Sequence, residues 1–277
     1  DVIRTRAVGF GWNVKVVPTA QMAAEANDDV FAVLLQYPGT NGVVEDFRPL
    51  VGELKAKNVK IAVATDLLAL TTLTPPGEWG ADACVGNSQR FGVPLGFGGP
   101  HAAFLTTTNA YMRKMPGRII GVSKDSRGKP ALRMAMQARE QHIRRDKASS
   151  NICTAQALLA NVAAAYAVYH GPEGIKAIGT AVHAAAASFA ATVAGVKGVT
   201  VPSKSFFDTV TVDLGSTQAL HKVLAALEAA RINVFVKHGT NQIQVAFDEV
   251  SSSSKPVAKV VDAIAKGMGV AGPAVVS

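Results

Sequence analysis

Aromatic residues make up only 6% of this 277-residue chain, and cysteine occurs only twice. Cys84 and Cys153 are too few for a disulfide framework and too far apart for a metal-ligand spacing. A disulfide-stapled secreted scaffold is thereby excluded, a reducing compartment fits, and no metal site is expected. No apolar run approaches the ~18 residues that a membrane span needs. The first residues, DVIRTRAVGFGW, have no signal- or transit-peptide character and no initiator methionine. A fragment or a processed product is expected. There is no Ser-His-Asp order, no GxSxG elbow and no HExxH. Zinc-finger, RNA-recognition and helix-turn-helix signatures are missing as well. Acidic side chains are the minority, 20 against 28 basic, for a formal charge of +8.

What is present is a core-forming composition, 48% hydrophobic and rich in Ala, Val, Leu and Ile. It suffices for one large domain or two moderate ones. Val14–Pro18 reads as a short strand. Val30–Leu35 is a continuous apolar run closed by Pro38-Gly39, the pattern of a strand buried on both faces. Glu45–Lys57 has helical spacing, flawed by Pro49 and Gly52. VKIAVATD ends a second strand at Asp66, and ADACVGN supplies a third. Strand, helix and strand joined by short links predict a parallel βαβ sheet. Thr40, Asn41, Thr65, Asp66, Ser88 and Gln89 then fall at the carboxyl ends of strands, where open α/β sheets place ligands.

From Asn151 the texture changes. NICTAQALLANVAAAYAVYH and the segment beginning at Gly171 predict two helices broken at Gly171-Pro172. FFDTVTVDL (strand), TQALHKVLAALEAAR (helix), INVFVK and NQIQVAFD (strands) and KPVAKVVDAIAKGMG (helix) follow. The expected organisation is an α/β domain over residues 1–150, then a connecting helix and a small α+β domain over 151–277.

Two stretches are candidates for chemistry. Asn87–His101, NSQRFGVPLGFGGPH, holds four glycines and two prolines. Glycine runs let backbone approach a phosphate, yet this one fits neither the P-loop nor the dinucleotide fingerprint. A structural turn with positive-φ glycines is the alternative, and composition favours it. Asp66, at the end of its strand, can pair with a cationic ligand or cap the following turn. His101 reads as a hydrogen-bonded structural residue before it reads as a ligand.

The second stretch is the basic segment Arg113–Lys147, with 11 Lys and Arg against 3 acids, net +8. Within it, helical spacing would put Arg139 with His142, Glu140 with Arg144, and His142 with Asp146 on shared faces. A solvated helix face, an anion site and a nucleic-acid patch remain open; the lack of interleaved aromatics argues against single-strand binding.

Longer wording goes further. QYPGTNGVVEDF, VATDLLALTTLTPPGEWGADACVGNSQRFGVPLGFGGPHAAF, RKMPGRIIGVSKDSRGKPALRMAMQAREQHIRRDKASSNICTAQALLAN and YAVYHGPEGIK resemble the glycine decarboxylase family, the P-protein of the glycine cleavage system. The resemblance is strong over residues 34–178 and looser beyond. It implies the aminotransferase-like fold-type I of pyridoxal-phosphate enzymes, here truncated at the start of its large domain. It also implies decarboxylation of glycine with aminomethyl transfer to the lipoyl group of H-protein. The family has two homologous halves, fused or separate, and this chain resembles the one without the cofactor lysine. The lysine position matches Gln89, beside Arg90; neither side chain can form the cofactor linkage.

On this resemblance Asp66 stands where the acid pairs with the pyridinium nitrogen. Asp66, Ser88, Gln89, Arg90 and His101 are then residues of a vestigial site. Arg139, His142, Arg144 and Arg145 become candidates for an interface with the lysine-bearing half or with H-protein. The implied compartment is the mitochondrial matrix in a eukaryote and the cytoplasm in a bacterium. The implied state is an oligomer that binds neither nucleic acid nor membrane. The chain alone is expected to be inactive, with an exposed sheet edge; a non-catalytic scaffold derived from the family is the alternative.

Overall fold

The computed structural model describes residues 1–115, 119–135, 145–147 and 156–276. Two short helices, α1 (Val2–Val8) and α2 (Met22–Glu25), precede a βαβ unit made of β1 (Ala32–Tyr37), α3 (Arg48–Ala56) and β2 (Lys60–Thr65). β3 (Ala83–Asn87) and β4 (Ala103–Thr107) complete a four-stranded sheet in the order β1-β2-β3-β4. The first three strands are parallel, with Leu35 beside Val63 and Val63 beside Cys84, while β4 runs antiparallel to β3. α3 sends Val51 and Leu54 onto Ile61 and Val63 of the sheet, with Leu54, Ile61 and Val63 fully buried. Each such side chain contributes roughly 1.5–3 kcal/mol by leaving water.

Three sequence expectations need correction. Residues 12–18 form no strand; Val16 is exposed, and no strand pairing reaches this segment among the described residues. β1 is not buried on both faces. Leu35 and Tyr37 point into the core, whereas Leu34 on the opposite face is 45% exposed. Among the described residues the core packs on one face of this edge strand only, so it alternates although its sequence does not. Finally, β4 and a two-stranded hairpin, β5 (Ile119–Lys124) with β6 (Pro130–Ala135), lie where no strands were expected. The hairpin turn is set by Asp125, whose carboxylate accepts the amides of Arg127 and Lys129.

The expected break at Gly171 is present. α4 (Ala157–Val193) contains a non-helical residue there, at φ 63° and ψ 177°, followed by Pro172. Its second half places Val182, Ala185, Ala186, Phe189, Ala190 and Val193 on one stripe in the largest core. That core also takes β7 (Thr209–Asp213), α5 (Thr217–Ala229), β9 (Gln242–Ala246) and α6 (Ser254–Met268), with β8 (Phe235–Val236) at the sheet edge in the antiparallel order β7-β9-β8. Ser216 caps α5 by accepting the Ala219 amide. α5 and α6 approach closely at Gly267, where a Cβ would lie 2.5 Å from Val223 Cα.

The two main sheets meet at the loop after β1. Thr211 Oγ1 donates to the Asn41 carbonyl at 2.9 Å, and the Val44 amide donates to Ser205 O at 3.0 Å. Gly42 sits at φ 83°, and a Cβ there would fall 1.9 Å from the Thr209 carbonyl oxygen. Gly52, in the middle of α3, has open space around it instead. Gly42→Ala is expected to destabilise the chain by about 3 kcal/mol or more, and Gly52→Ala to stabilise it by up to about 1 kcal/mol. Urea unfolding of the two variants checks this, and equal midpoints would show that the Gly42 contact is not needed.

Candidate functional site

The carboxyl ends of β1, β2 and β3 open onto a crevice, as the sequence order requires. On its far side lie the residues that lead into β7. Asp66 follows β2 and spends both oxygens. Oδ1 accepts the Leu68 amide at 2.9 Å, and Oδ2 faces Arg90 Nη1 at 2.9 Å. The same Nη1 reaches Asp208 Oδ2 at 2.6 Å, so one guanidinium joins the two sheets. Asp208 also accepts the Thr209 hydroxyl through Oδ1. Arg90 Nη2 is buried and finds no acceptor among the described residues; the clamp on both carboxylates runs through Nη1.

The electrostatics follow from one cation serving two acids. Burial pushes the Asp66 carboxyl above the ordinary carboxylate range, against the opposing pull of Arg90 and the Leu68 amide. Burial also works against the charge on Arg90, but Asp66 and Asp208 outweigh it and hold the guanidinium above its ordinary value. Arg90 therefore stays charged, and Asp66 carries the strain of the shared partner.

The glycine-rich run folds upon itself. Gly92, Gly96, Gly98 and Gly99 all have positive φ. The amides of Gly98 and Gly99 both donate to the Leu95 carbonyl, at 3.1 and 3.2 Å. A Cβ on Gly96 would come within 2.5 Å of Gly99 O. These glycines serve a tight turn, and the Gly98 and Gly99 amides are already spent. The base of the loop is closed by Ser88, buried, whose amide and hydroxyl both donate to the Ala102 carbonyl. Val93 and Ala102 anchor its two ends in a small core with Leu159 and Ala163 of α4. Gly92 lies under the ring of Tyr166, which stacks on Phe91 and donates its hydroxyl to Glu249 at 2.8 Å. Burial raises the Tyr166 phenol, and the Glu249 bond raises it further.

Of the sequence candidates, the crevice joins Asp66 to Arg90 directly. Ser88 is structural. The Gln89 amide donates to Asn87 Oδ1 at 2.8 Å, in a side-chain turn. His101 is exposed and donates a ring N–H to Gly98 O at 3.0 Å. Arg139, His142 and Arg144 lie outside the described residues; Arg145 is exposed in a single 3-10 turn, Arg145–Lys147. Asp208 was missed by sequence reasoning, since an acid after Phe206-Phe207 carries no local motif. Among the described residues no group of three or more His, Cys, Asp or Glu could hold a metal ion. No helix among them is long and apolar enough to cross a membrane.

The acid expected to face a cofactor cation is already paired with Arg90, so pyridoxal phosphate there would compete with the protein's own guanidinium, and the Gly98 and Gly99 amides are committed to Leu95 O.

The fold itself is the fold-type I architecture of pyridoxal-phosphate enzymes. A pyridoxamine-pyruvate aminotransferase from Mesorhizobium loti superposes with a TM-score of 0.59 at 15% identity, covering 91% of this chain and 64% of that one. An inhibitor-bound glycine decarboxylase, the P-protein of the glycine cleavage system, superposes with a TM-score of 0.78 at 33% identity, over 88% of this chain and 56% of that one. The family model described as glycine cleavage system P-protein matches residues 1–264. This chain belongs to the glycine cleavage system P-protein family. It is 54% identical over 255 residues to a glycine dehydrogenase (decarboxylating) of Paraburkholderia phytofirmans, and 56% identical over 254 residues to the mitochondrial enzyme of Pisum sativum. Each match covers 91% of this chain but only 25% and 23% of those relatives, so the chain spans about a quarter of their length.

Removing the guanidinium would leave two carboxylates facing each other. Arg90→Met is expected to cost about 3 kcal/mol at neutral pH, read by urea unfolding. The sign of its pH dependence follows from Asp66, which already titrates high. In the variant the folded state holds that proton more tightly than the unfolded chain does. Stability is full below the unfolded carboxyl value of about 4 and is lost as pH rises through the raised folded value. The variant should thus regain part of its deficit in acid. A deficit that stays constant from about pH 4 to pH 7 would show that the carboxylates do not face each other there.

Proposed function

We propose that this chain is part of a glycine-decarboxylating enzyme and comes from the half without the cofactor lysine. The observation that carries this reading is the Asp66–Arg90–Asp208 ion pair, which fills the strand-end crevice with the protein's own cation. Family membership supplies the reaction: glycine loses CO2, and the aminomethyl group passes to the lipoyl group of H-protein. Pyridoxal phosphate on the lysine-bearing half would accept the electron pair left by CO2. Gln89 occupies the lysine-equivalent position and cannot form the covalent linkage. In this chain Asp66, Arg90 and Asp208 tie the two sheets together at the crevice, and Ser88 closes the base of the loop beside it.

On this reading residues 1–150 belong to the large domain and residues 151–277 to the connecting helix and small domain. The partners are the lysine-bearing half and H-protein. The compartment on this reading is the mitochondrial matrix in a eukaryote and the cytoplasm in a bacterium; the Pisum sativum relative is mitochondrial by name.

Borohydride reduction of the chain with pyridoxal phosphate, followed by peptide mapping, tests the assignment. No single lysine should become pyridoxyl-lysine above the background of surface lysines. Together with the remainder of its own half and the lysine-bearing half, the chain should then support glycine–bicarbonate exchange. One specifically labelled lysine in this chain would overturn the assignment. Intact assembly without any exchange would favour a scaffold role instead.

A further inference from the structure

The sequence contains one Asn-Gly pair, Asn41-Gly42, and the fold puts it at the junction of the two main sheets. Asn-Gly is the dipeptide most prone to lose ammonia without an enzyme. Glycine has no Cβ to shield its backbone nitrogen, so that nitrogen can attack the neighbouring carboxamide. Asn41 is exposed, whereas Gly42 is buried.

The bonds made here act on the two reactants in opposite ways. Asn41 Oδ1 accepts the Val43 amide at 3.2 Å. That donor faces the oxygen on which negative charge would develop during attack at Cγ, so it favours the reaction. The nucleophile, by contrast, is held back. The Gly42 amide donates to Gly39 O at 2.9 Å, and its proton must leave before the nitrogen can attack. Gly42 also lies tight against the Thr209 carbonyl, with no room even for a Cβ. The rest of the loop is fixed by docking. Thr211 holds the Asn41 carbonyl, the Val44 amide donates to Ser205 O, and Val43 bridges to Phe206. The carboxamide is thus polarised while the nitrogen beside it is immobilised, and much of the immobilisation comes from the β7 side.

We propose that Asn41 is a modification site, where spontaneous deamidation is gated by the docking of the β1 loop on β7. When the loop lifts, the Gly42 nitrogen bonds to Asn41 Cγ and the bond from Cγ to the side-chain nitrogen breaks. Ammonia leaves with the Gly42 proton. Water then opens the succinimide ring. Opening at Cγ gives an ordinary aspartate, and opening at the main-chain carbonyl gives isoaspartate. Either product lowers the formal charge by one unit from +8. In isoaspartate the backbone runs through Cβ and Cγ, a methylene longer. The carbonyl that Thr211 holds becomes a free carboxylate, and Gly42 leaves its contact with Thr209. The modified junction therefore stays open.

The test follows the 277-residue chain and a synthetic peptide spanning Gln36 to Asp46 side by side near neutral pH. Isoaspartate at position 41 is read by peptide mapping. The peptide should convert more than about tenfold faster than the folded chain, because the chain must first open locally. Thr211→Val deletes one hydroxyl that holds the loop, and should speed conversion of the folded chain about threefold to tenfold. Wild-type chain in sub-denaturing urea gives a second reading that does not depend on the variant's folding. There, conversion should rise in step with hydrogen exchange at the Val44 amide. The isoaspartyl fraction, separated by its charge, should exchange that amide faster than unmodified chain. A peptide that does not convert would overturn the site itself. Equal rates in peptide and folded chain, or a folded rate that neither Thr211→Val nor urea changes, would overturn the gating. Identical Val44 exchange in the two fractions would overturn the opening of the junction.

Discussion

One guanidinium holds the crevice together. Arg90 draws a carboxylate from the end of a parallel strand and another from the start of an antiparallel one onto the same nitrogen. Around it the backbone is arranged to make that reach possible. The β1 loop docks on β7 through Asn41 and Gly42. The loop that carries Arg90 is stitched at its base by Ser88 and pinned to α4 by Val93 and Ala102. A shared, partly buried cation is a costly way to gain stability, since desolvation opposes it on every partner. Its value lies in geometry: the two sheets are fixed at the place where related folds bind their ligand.

The shape of the glycine-rich loop follows from steric demands of its own. Its positive-φ glycines are required by the turn, because side chains at Gly92 or Gly96 would collide with Tyr166 or with the loop backbone. Such steric demands hold whether or not a ligand is present. Loop shape alone is therefore weak evidence for binding. The hydrogen bonds that the loop amides make are the better indicator, and at Gly98 and Gly99 they turn inward to Leu95.

What was legible in the sequence tracks how local the determining contact is. The βαβ unit and the helix break at Gly171 could be read because periodicity and turn residues act within a few positions. The hairpin was passed over, because its Lys and Arg drew attention to charge and away from the alternation of Ile120, Val122 and Leu132. Val14–Pro18 failed for the opposite reason: it has the composition of a strand but, among the described residues, no strand beside it to pair with. Asp66 and Arg90 were both singled out, but not their contact. Asp208 lies 118 positions from Arg90, and a charge that far along the chain leaves no trace in local pattern. The wording of long motifs reached the family where composition could not, because those stretches encode such distant contacts without displaying them.

The elbow in α4 has a mechanical side. With Gly171 in a conformation open to glycine alone and Pro172 unable to continue the preceding turn, the two arms are short rods meeting at a preset angle. One arm bears on the glycine-rich loop through Leu159, Ala163 and Tyr166; the other is sunk in the main core through Val182 and Phe189. A single unbroken rod would transmit any tilt at the loop straight into that core. The elbow decouples them, so the loop end of α4 can be redesigned, or can shift against another surface, while the small sheet and its helices keep their packing.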